Sequence, residues 1–268
     1  QRLAVLALRP HKGKKNRTYA ANRIAVRHLF KTFWGLPSTQ LKGELFSDVH
    51  VPKMRRDGTV RNLNNERKLF IQIAYRAYNL GHSPRPPTKI PKPDIEKEVG
   101  RELNQDEINR LFKACRDSTL LLQMQTALET GLRENEMLAL HFSFFDFQKR
   151  LIRLPTWAAK GKKKNRVIPI SEALCVKYLE LKRISLFDTC FVEEYVPGKR
   201  RFVSQRGWAK VRAVAGVECR WHDWRHTCAT QRVRMGVPEK IISKCLGMSL
   251  GVLNRIYTHL SEEDLRPF

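Results

Sequence analysis

The sequence predicts a mainly α-helical protein with one small β-hairpin, an α+β fold built as two domains. Three observations favour this fold class. Apolar residues recur with helical spacing through much of the chain, one pair of short strand-like segments brackets a Lys/Gly turn, and a proline-rich stretch separates a smaller N-terminal part from a larger C-terminal part. A chain of 268 residues is long enough for two such domains, each with its own apolar core.

The N-terminal domain is predicted over residues 1–88, with helices over 18–34 and 63–80. The second helix has an apolar face, made of Leu63, Phe70, Ile73, Ala77 and Leu80. Its other face carries Arg67, Lys68 and Arg76. These charges fit either a solvated helix surface or contacts to phosphate, and the excess of bases over acids favours DNA binding.

A linker is predicted over residues 89–100. The stretch from 81 to 100 contains five prolines, which lack backbone N–H donors and disfavour helix in the residues before them. The chain should therefore be extended between the two domains.

The C-terminal domain is predicted over residues 101–268, including a C-terminal tail. It opens with a capping-box pattern at Asn104 and Glu107, followed by helices over 105–116 and 118–130. The strands of the hairpin are expected over 151–155 and 166–170.

Further helices are expected in the rest of this domain. Ser171 is a plausible N-cap for a helix that runs to about Arg183. Beyond residue 218 we expect short helices, interrupted at Gly236-Val-Pro238 and at Leu246-Gly247, because glycine ends helices and proline begins them.

Charge is the strongest compositional signal. There are 51 Lys and Arg residues against 26 Asp and Glu, a formal net charge of +25. Residues 1–88 hold 18 of these bases and 4 acids, net +14, and the remainder holds 33 and 22, net +11. Such a surplus repels itself unless a polyanion neutralises it, so nucleic acid is the expected partner. A basic ribosomal or chromatin-type binder without chemistry fits the charge equally well.

The six cysteines are far apart and form no C-x-x-C pair, which indicates reduced thiols in a cytosolic protein. No apolar run reaches the length of about 18 residues that a membrane-spanning helix needs. Since the chain opens at Gln1, we expect residues to precede it, with room for a further small domain.

Four segments of the C-terminal domain contain residues that could perform chemistry. They are TGLRENEML with Arg133 and Glu136, AAKGKKKNRVIPI with Lys160, HDWRHT with His222 and Arg225, and LGMSLGVLNRIYTHL with Tyr257. Each has an ordinary structural interpretation when taken alone. An arginine three residues before a glutamate is usually a helix-surface pair, a lysine-rich hairpin tip is usually solvated, and a tyrosine with helical spacing usually belongs to a core.

Together, in this order and spacing, the segments resemble the tyrosine recombinase or phage integrase family over the whole catalytic half. The resemblance rests on T-G-L-R with an acid three residues on, a hairpin lysine, H-x-x-R, and L-G followed at the right distance by Tyr257-Thr-His259. The end of the N-terminal part, GTVRNLNNERKLFIQIAYRAYNLGHSPRPP, looks like the last helix of the family's core-binding domain. The resemblance implies a two-domain clamp around DNA.

The resemblance also implies a reaction and a role for each residue. DNA is cleaved and rejoined through a covalent 3′-phosphotyrosine on Tyr257, with no metal, ATP or other cofactor. Arg133 and Arg225 would hold the phosphate, because guanidinium groups bind its oxygens in pairs. His222 would be the base, and Lys160 the acid that protonates the leaving oxygen.

The hairpin tip offers more than one candidate for the family's lysine. Lys160 fits best if the loop carries one extra residue, and Lys162 is the reserve. Lys163 and Lys164 are expected to contact DNA.

One position departs from the family pattern. Where the family has L-G-H, or tryptophan in place of histidine, this chain has Leu246-Gly247-Met248, and a thioether donates no hydrogen bond. Met248 therefore leaves open a second function, that of a catalytically weak DNA-binding relative. A type IB topoisomerase would use similar chemistry, but the core-binding half and the short linker favour recombination between specific sites.

The remaining expectations concern metals and partners. His222 and His226 are spaced to hold zinc on one helical face, but Asp223 stands where zinc proteases have glutamate and no third ligand follows, so His226 is interpreted as a structural neighbour of the site. We expect double-stranded DNA as the partner, a monomer that becomes a homotetramer on DNA, accessory DNA-bending proteins and a nucleoid location. The tail from His259 to Phe268, with its apolar groups, is expected to pack on a neighbouring subunit.

Overall fold

The computed structural model describes residues 17–37, 40, 42–58, 60–83, 90–94, 100–158, 165–191 and 205–257, with the backbone alone for residues 17–20, 61, 205 and 255–257. The chain divides into two compact units, Gln1–Glu98 and Val99–Phe268. Most described residues are helical and one small sheet is present, so the predicted fold class is confirmed.

Unit 1 is helical in its described part. Its elements are α1 (Arg17–Phe33), α2 (Gly43–Leu45), a π-helical turn (Phe46–His50), α3 (Val51–Arg56), a 3-10 turn (Val60–Asn62) and α4 (Leu63–Asn79). Helices α1 and α4 pack together around a core that includes Leu29, Phe46 and Phe70. Both long helices therefore occur where the sequence predicts them.

The predicted apolar face of α4 is mostly correct. Leu63, Phe70 and Ala77 are buried and Ile73 is partly buried, but Leu80 is exposed. The prediction was wrong for Leu80 because the helix ends at Asn79, so the next residue leaves the helical spiral that would have turned its side chain inward.

A buried polar network ties α1 to α4. The carboxylate of Glu66 is fully buried, and its two oxygens lie 2.6 Å from His28 Nδ1 and 2.8 Å from His50 Nε2. Thr32 Oγ1 lies 2.8 Å from the other ring nitrogen of His50. A buried carboxylate must be paired to be tolerated, so this network fixes the mutual position of the helices.

Unit 2 opens with α5 (Gln105–Ala114) and α6 (Ser118–Thr130). The capping box at the start of α5 is confirmed, since Asn104 Oδ1 accepts from the Glu107 backbone N–H at 2.8 Å and Glu107 Oε2 accepts from the Asn104 N–H at 3.0 Å. Helix α6 is followed by the short α7 (Glu134–Leu138).

A three-stranded antiparallel sheet contains the predicted hairpin. Its strands are β1 (Phe145–Asp146), β2 (Leu151–Leu154) and β3 (Arg166–Pro169), in the order β1-β2-β3. Leu154 pairs with Arg166 at the end of the hairpin that leads to its tip. The sequence did not predict β1, because two residues are too few to show alternation.

Five helices complete the described part of unit 2: α8 (Glu172–Ile184), α9 (Gln205–Ala215), α10 (Asp223–Arg234), α11 (Glu239–Leu246) and α12 (Leu250–Tyr257). Ser171 caps α8 as predicted, accepting from the Leu174 N–H at 3.2 Å. The main core includes Met124, Ile152 and Trp224, and a second, smaller cluster joins α10, α11 and α12.

All six cysteines have free thiols, five of them buried. None of the helices in the described ranges has the length and apolar character needed to cross a membrane.

Candidate active site

The site begins at the turn between α6 and α7. Gly131 ends α6 in the left-handed conformation, at φ 60°, and a Cβ built on it would lie 2.3 Å from Leu246 Cδ2. Glycine is favoured there because a side chain is strained at positive φ and its Cβ would displace the Leu246 side chain at the end of α11. Two residues later, Arg133 is the N-cap of α7.

Arg133 and Glu136 form more than the helix-surface pair that is usual at this spacing. Glu136 is only 1% exposed, and its Oε1 accepts from Arg133 Nη1 at 2.7 Å. Arg133 Nη2 donates to the Gly247 carbonyl at 2.9 Å. Burial alone would raise the pKa of Glu136, but the Arg166 charge and the Arg133 backbone N–H outweigh it and hold that pKa below its usual range.

Arg225 lies on α10 and is 4% exposed. Its Nη1 donates to the Gly131 carbonyl and its Nη2 to the Leu246 carbonyl, both at 2.5 Å. Burial, followed by the positive charge of Arg133, lowers the pKa of Arg225 to about 9. Two backbone carbonyls therefore fix the orientation of the Arg225 guanidinium, and neither of these acceptors carries a negative charge.

His222 is the N-cap of α10, and its ring lies 5.1 Å from that of His226. Burial of the imidazole, then the nearby His226, Arg225 and Arg133, lower the pKa of His222 to about 4. The residue as a whole is nonetheless exposed, so water screens part of this effect. What matters chemically is the downward direction, which keeps the imidazole neutral and able to accept a proton at pH 7.

His226 is half-buried, and burial lowers its pKa as well. Among the residues that the structure describes, no group of three or more His, Cys, Asp or Glu side chains could hold a metal ion.

Met248 follows the α11 turn and is half-buried against the smaller apolar cluster, which includes Cys228, Ile242 and Leu253. Its carbonyl accepts from Ser243 Oγ at 2.7 Å. The thioether thus occupies the place of the family's polar donor and packs against apolar neighbours.

Tyr257 is the last residue of α12. This helix packs on α10 and α11, with Leu253 fully buried between them. The tyrosine backbone therefore ends a helix that is anchored to the two helices carrying His222, Arg225 and Leu246. Its side chain lies outside the described residues, as do Lys160, Lys162, Lys163, Lys164 and the tail after Tyr257.

Arg166, the first residue of β3, was not among the residues that the sequence motifs indicated for the site. Arg166 is 7% exposed, its Nη2 donates to Glu136 Oε2 at 2.7 Å, and its Nη1 donates to the Leu246 carbonyl at 2.5 Å. The signal was present in the alternation of the strand, since Arg166 shares its face with Ile168 and Ile170, both buried. A charged residue on the apolar face of a strand indicates a buried partner.

The predicted DNA contacts on α4 differ in their surroundings. Lys68 and Arg76 are exposed, whereas Arg67 is half-buried and its Nε donates to the Ile90 carbonyl at 2.7 Å. Helix α1 contributes a row that the sequence analysis overlooked, since Arg23, Arg27 and Lys31 are all exposed at intervals of four residues. That helix contains no acidic residue.

The centre of the site carries excess positive charge. Arg133 and Arg166 both bind the Glu136 carboxylate, Arg166 and Arg225 both bind the Leu246 carbonyl, and Arg133 binds the Gly247 carbonyl, so among these described groups three guanidinium groups lie around one carboxylate. Three positive charges and one negative charge leave two in excess. Charges brought together at such a cost are typical of a functional site for an anion.

Comparisons with known proteins identify a matching family and similar chains. The model of the phage integrase family matches residues 101–264. Tyrosine recombinase XerA of Saccharolobus solfataricus is 28% identical over 226 residues, which cover 80% of this chain and 72% of that protein.

Two solved structures show the same fold. A lambda integrase dimer bound to a COC′ core site superimposes with a TM-score of 0.75 at 15% identity, covering 95% of this chain and 76% of that one. The Tn1549 transposon integrase in complex with a circular intermediate DNA gives 0.71 at 16% identity, covering 99% and 97%. The motifs, the fold and the family match together identify this chain as a member of the phage integrase family, the family of tyrosine recombinases.

Proposed function

We propose that this chain is a site-specific DNA recombinase that cleaves and rejoins duplex DNA through a covalent 3′-phosphotyrosine on Tyr257. Family membership supports the activity, and the related structures above are complexes with DNA. The observation that carries the chemistry is the convergence of Arg133 and Arg225 beside His222, with a charge excess that suits a phosphate.

The two arginines stabilise the transition state. Attack on a phosphodiester places negative charge on the non-bridging oxygens, and preorganised guanidinium groups in a poorly solvated site stabilise that charge strongly. Arg133 is held by Glu136 and the Gly247 carbonyl, and Arg225 by two further carbonyls. Neither side chain needs to reorganise when charge develops.

Tyr257 supplies the nucleophile. Its hydroxyl, with an ordinary pKa near 10, needs a base and nearby positive charge to react at neutral pH. His222 takes the phenolic proton, the tyrosine oxygen bonds to phosphorus, and the bond from phosphorus to the 5′ oxygen breaks. The neutral state of His222 suits it to this role.

The leaving 5′ oxygen takes its proton from Lys160, with Lys162 as the alternative. A 5′ hydroxyl from the partner strand then gives its proton to the neutral lysine and bonds to phosphorus. The bond from phosphorus to the tyrosine oxygen breaks, the protonated His222 returns its proton to the phenolate, and the DNA is resealed. The phosphotyrosine conserves the energy of the broken bond, so no nucleotide cofactor enters the cycle.

Unit 1 acts as the core-binding domain and grips the DNA backbone. The exposed row Arg23, Arg27 and Lys31 on α1, and Lys68 and Arg76 on α4, lie on surfaces suited to phosphate contacts. The high charge of residues 1–88 fits this role.

A second candidate function is favoured by Met248. Its thioether is half-buried among apolar side chains and donates no hydrogen bond to phosphate, as a weakly cutting DNA-binding relative would show. A DNA substrate with a nick near the cleavage site distinguishes the two functions, because the released fragment diffuses away and traps the covalent adduct. Accumulation of a denaturant-resistant protein–DNA adduct supports the recombinase, and binding without adduct supports the second function.

Tyr257→Phe tests the assignment of the nucleophile. Removing only the phenolic oxygen should abolish the adduct and leave DNA binding within about twofold, because one neutral hydroxyl contributes little to a backbone-dominated affinity. Tyr78→Phe, which alters an exposed tyrosine on α4, is the control and should form adduct normally. Adduct formation by the Tyr257 variant at the wild-type rate would reject the proposal.

A further inference from the structure

Arg133 and Arg225 form the proposed phosphate clamp, the pair of arginines that would hold the scissile phosphate. Arg166 shares one hydrogen-bond acceptor with each of them. It binds Glu136 Oε2 while Arg133 binds Oε1 of the same carboxylate. It binds the Leu246 carbonyl that also accepts from Arg225. No other described side chain is hydrogen-bonded to both of these acceptors in the structure.

From this geometry we infer that Arg166 is a positioning residue for cleavage, acting on the scissile phosphate through Arg133 and Arg225. The inference rests on the proposed recombinase function. With Arg166 in place, the Glu136 carboxylate is fixed with Oε2 toward Arg166 and Oε1 toward Arg133. The Leu246 carbonyl at the end of α11 is held by Arg166 at the position where it also accepts from Arg225.

Packing at Gly247 supports a fixed position for this arginine. Gly247 has a φ of 60°, and a Cβ built on it would lie 2.5 Å from Arg166 Nη1 and 2.8 Å from Arg166 Cδ. The guanidinium therefore lies directly against the backbone of the α11 turn. A shorter or unforked side chain at position 166 could not fill this place and reach both acceptors.

Stability alone does not explain a buried arginine here. Taking a guanidinium and a carboxylate out of water costs about as much as their attraction returns, and an apolar side chain on β3 could pack beside Ile168 and Ile170 instead. The ion pair adds a fixed orientation of the Glu136 carboxylate, because hydrogen bonds depend on angle and apolar packing does not. Misplacing catalytic groups by about 1 Å can cost on the order of 100-fold in rate.

Arg166→Met and Arg166→Lys test this role in single-turnover cleavage of the nicked substrate. Both variants should cleave at least tenfold more slowly and bind DNA within about twofold, since neither methionine nor a single ammonium can hold two acceptors at once. Arg153→Met on the neighbouring strand, which removes an exposed arginine paired with Asp146, is the matched control and should cleave normally. Cleavage within threefold of wild type by a folded variant overturns the inference, and Arg166→Lys decides if the methionine variant does not fold.

A double-mutant cycle separates positioning from general destabilisation. If Arg166 acts through the clamp, Arg166→Lys should have little further effect once Arg133→Ala has removed one arm of the clamp. Multiplication of the two rate losses would mean that Arg166 acts independently of Arg133, and would overturn the inference.

A substrate with sulfur in place of the leaving 5′ oxygen distinguishes a misplaced hairpin lysine from misplaced phosphate-binding arginines. Its thiolate leaves without a proton, so it compensates for a misplaced hairpin lysine but not for a misplaced clamp. Arg166→Lys should remain slow on this substrate, and recovery to the wild-type rate would overturn the role in the clamp. If wild-type protein forms no adduct at all, the proposed function fails, which is a different result from wild-type cleavage that tolerates both Arg166 variants.

Discussion

Arg225 is a cation held where its charge is disfavoured. Burial and the neighbouring Arg133 lower its pKa to about 9, and its guanidinium donates to the backbone carbonyls of Gly131 and Leu246. An anion that binds beside such a cation stabilises it strongly, because the guanidinium has already lost its hydration in the folded protein. This preference for an anion agrees with the proposed role of Arg225 in stabilising the charged transition state.

The pH dependence of cleavage should reveal His222. Its pKa is lowered from 6.5 to about 4, so in the free protein it stays neutral as pH falls through 6.5 and takes up a proton only well below that value. At limiting protein concentration, the second-order rate constant for cleavage depends on the protonation state of the free protein. We therefore expect this rate constant not to fall as the pH drops through 6.5. Measurements on wild type from pH 5 to 8 test this.

His222→Ala is the comparison for that profile. The variant should be slow at every pH in the range, with an unchanged shape. A wild-type rate constant that falls as the pH drops through 6.5 or a higher value, with no such fall in His222→Ala, would show that the imidazole has an ordinary pKa. The same sign applies to stability: the unfolded chain protonates this histidine first, so the shift makes the fold less stable as pH falls from about 6.5 towards 4.

Gly247→Ala should lower the free energy of unfolding by more than about 1 kcal/mol, since a side chain there is strained at positive φ and would also collide with Arg166. Gly251→Ala is the matched control. Gly251 lies within α12 with open space around its Cβ, so alanine should leave stability unchanged or raise it by up to about 1 kcal/mol. Urea unfolding followed by circular dichroism measures both, and equal effects would mean that close packing at Gly247 is unimportant.

At the scale of elements, local chemistry determined what could be predicted. The capping box of α5, the N-cap Ser171 and the glycine stop at Gly247 all appear in the structure, because each is a contact between residues close in sequence. The hairpin was predicted from two strand-like segments that bracket a Lys/Gly turn. Helices that end one residue early, as at Leu80, and strands of two residues fall below what periodicity can resolve.

The sequence indicated candidate residues for the site but not the network of contacts among them. Four motifs in order indicated Arg133, His222, Arg225 and Tyr257. The sequence could not reveal that Glu136 is shared by two arginines, since Arg166 lies 30 positions away and meets it only through the fold of the sheet. Contacts of that kind depend on tertiary packing, which no local pattern encodes.

The β2-β3 hairpin should carry the general acid. Lys160→Ala is expected to slow cleavage of an ordinary substrate strongly, and to recover on a substrate whose leaving oxygen is replaced by sulfur, because a thiolate needs no proton. Lys162→Ala is the matched control and should behave alike on both substrates. Recovery by the Lys162 variant alone would move the assignment from Lys160 to Lys162.

At the scale of the whole molecule, the two parts of the chain differ in their density of positive charge. Residues 1–88 carry a net charge of +14 in a third of the chain, and the larger remainder carries +11 together with the site. Each unit has its own apolar core, so the grip on DNA and the chemistry are built on separate scaffolds. One chain offers one nucleophile, and exchange of strands between two duplexes requires four cuts, so we propose a tetramer on DNA assembled from monomers.

The tail offers a test of that assembly. Ser261–Phe268 carries Leu265 and Phe268 on a short segment, and we propose that it packs on a neighbouring subunit, which makes each Tyr257 dependent on the tail of another chain. Deleting Ser261–Phe268 should then leave DNA binding by the monomer unchanged and abolish adduct formation and synapsis together. Glu262→Ala, which keeps the apolar groups, is the control and should assemble normally.

Mixing two defective proteins distinguishes a tail that acts between subunits from one that folds back on its own domain. The truncated chain keeps Tyr257 but lacks a tail, and full-length Tyr257→Phe has a tail but no nucleophile. If the tail is donated to a neighbour, the mixture should form adduct with the truncated chain, because that chain receives the tail it needs from the full-length partner. Neither protein alone should form adduct. A mixture that stays inactive, or a truncated monomer that unfolds on its own at a lower temperature, would place the tail on its own domain.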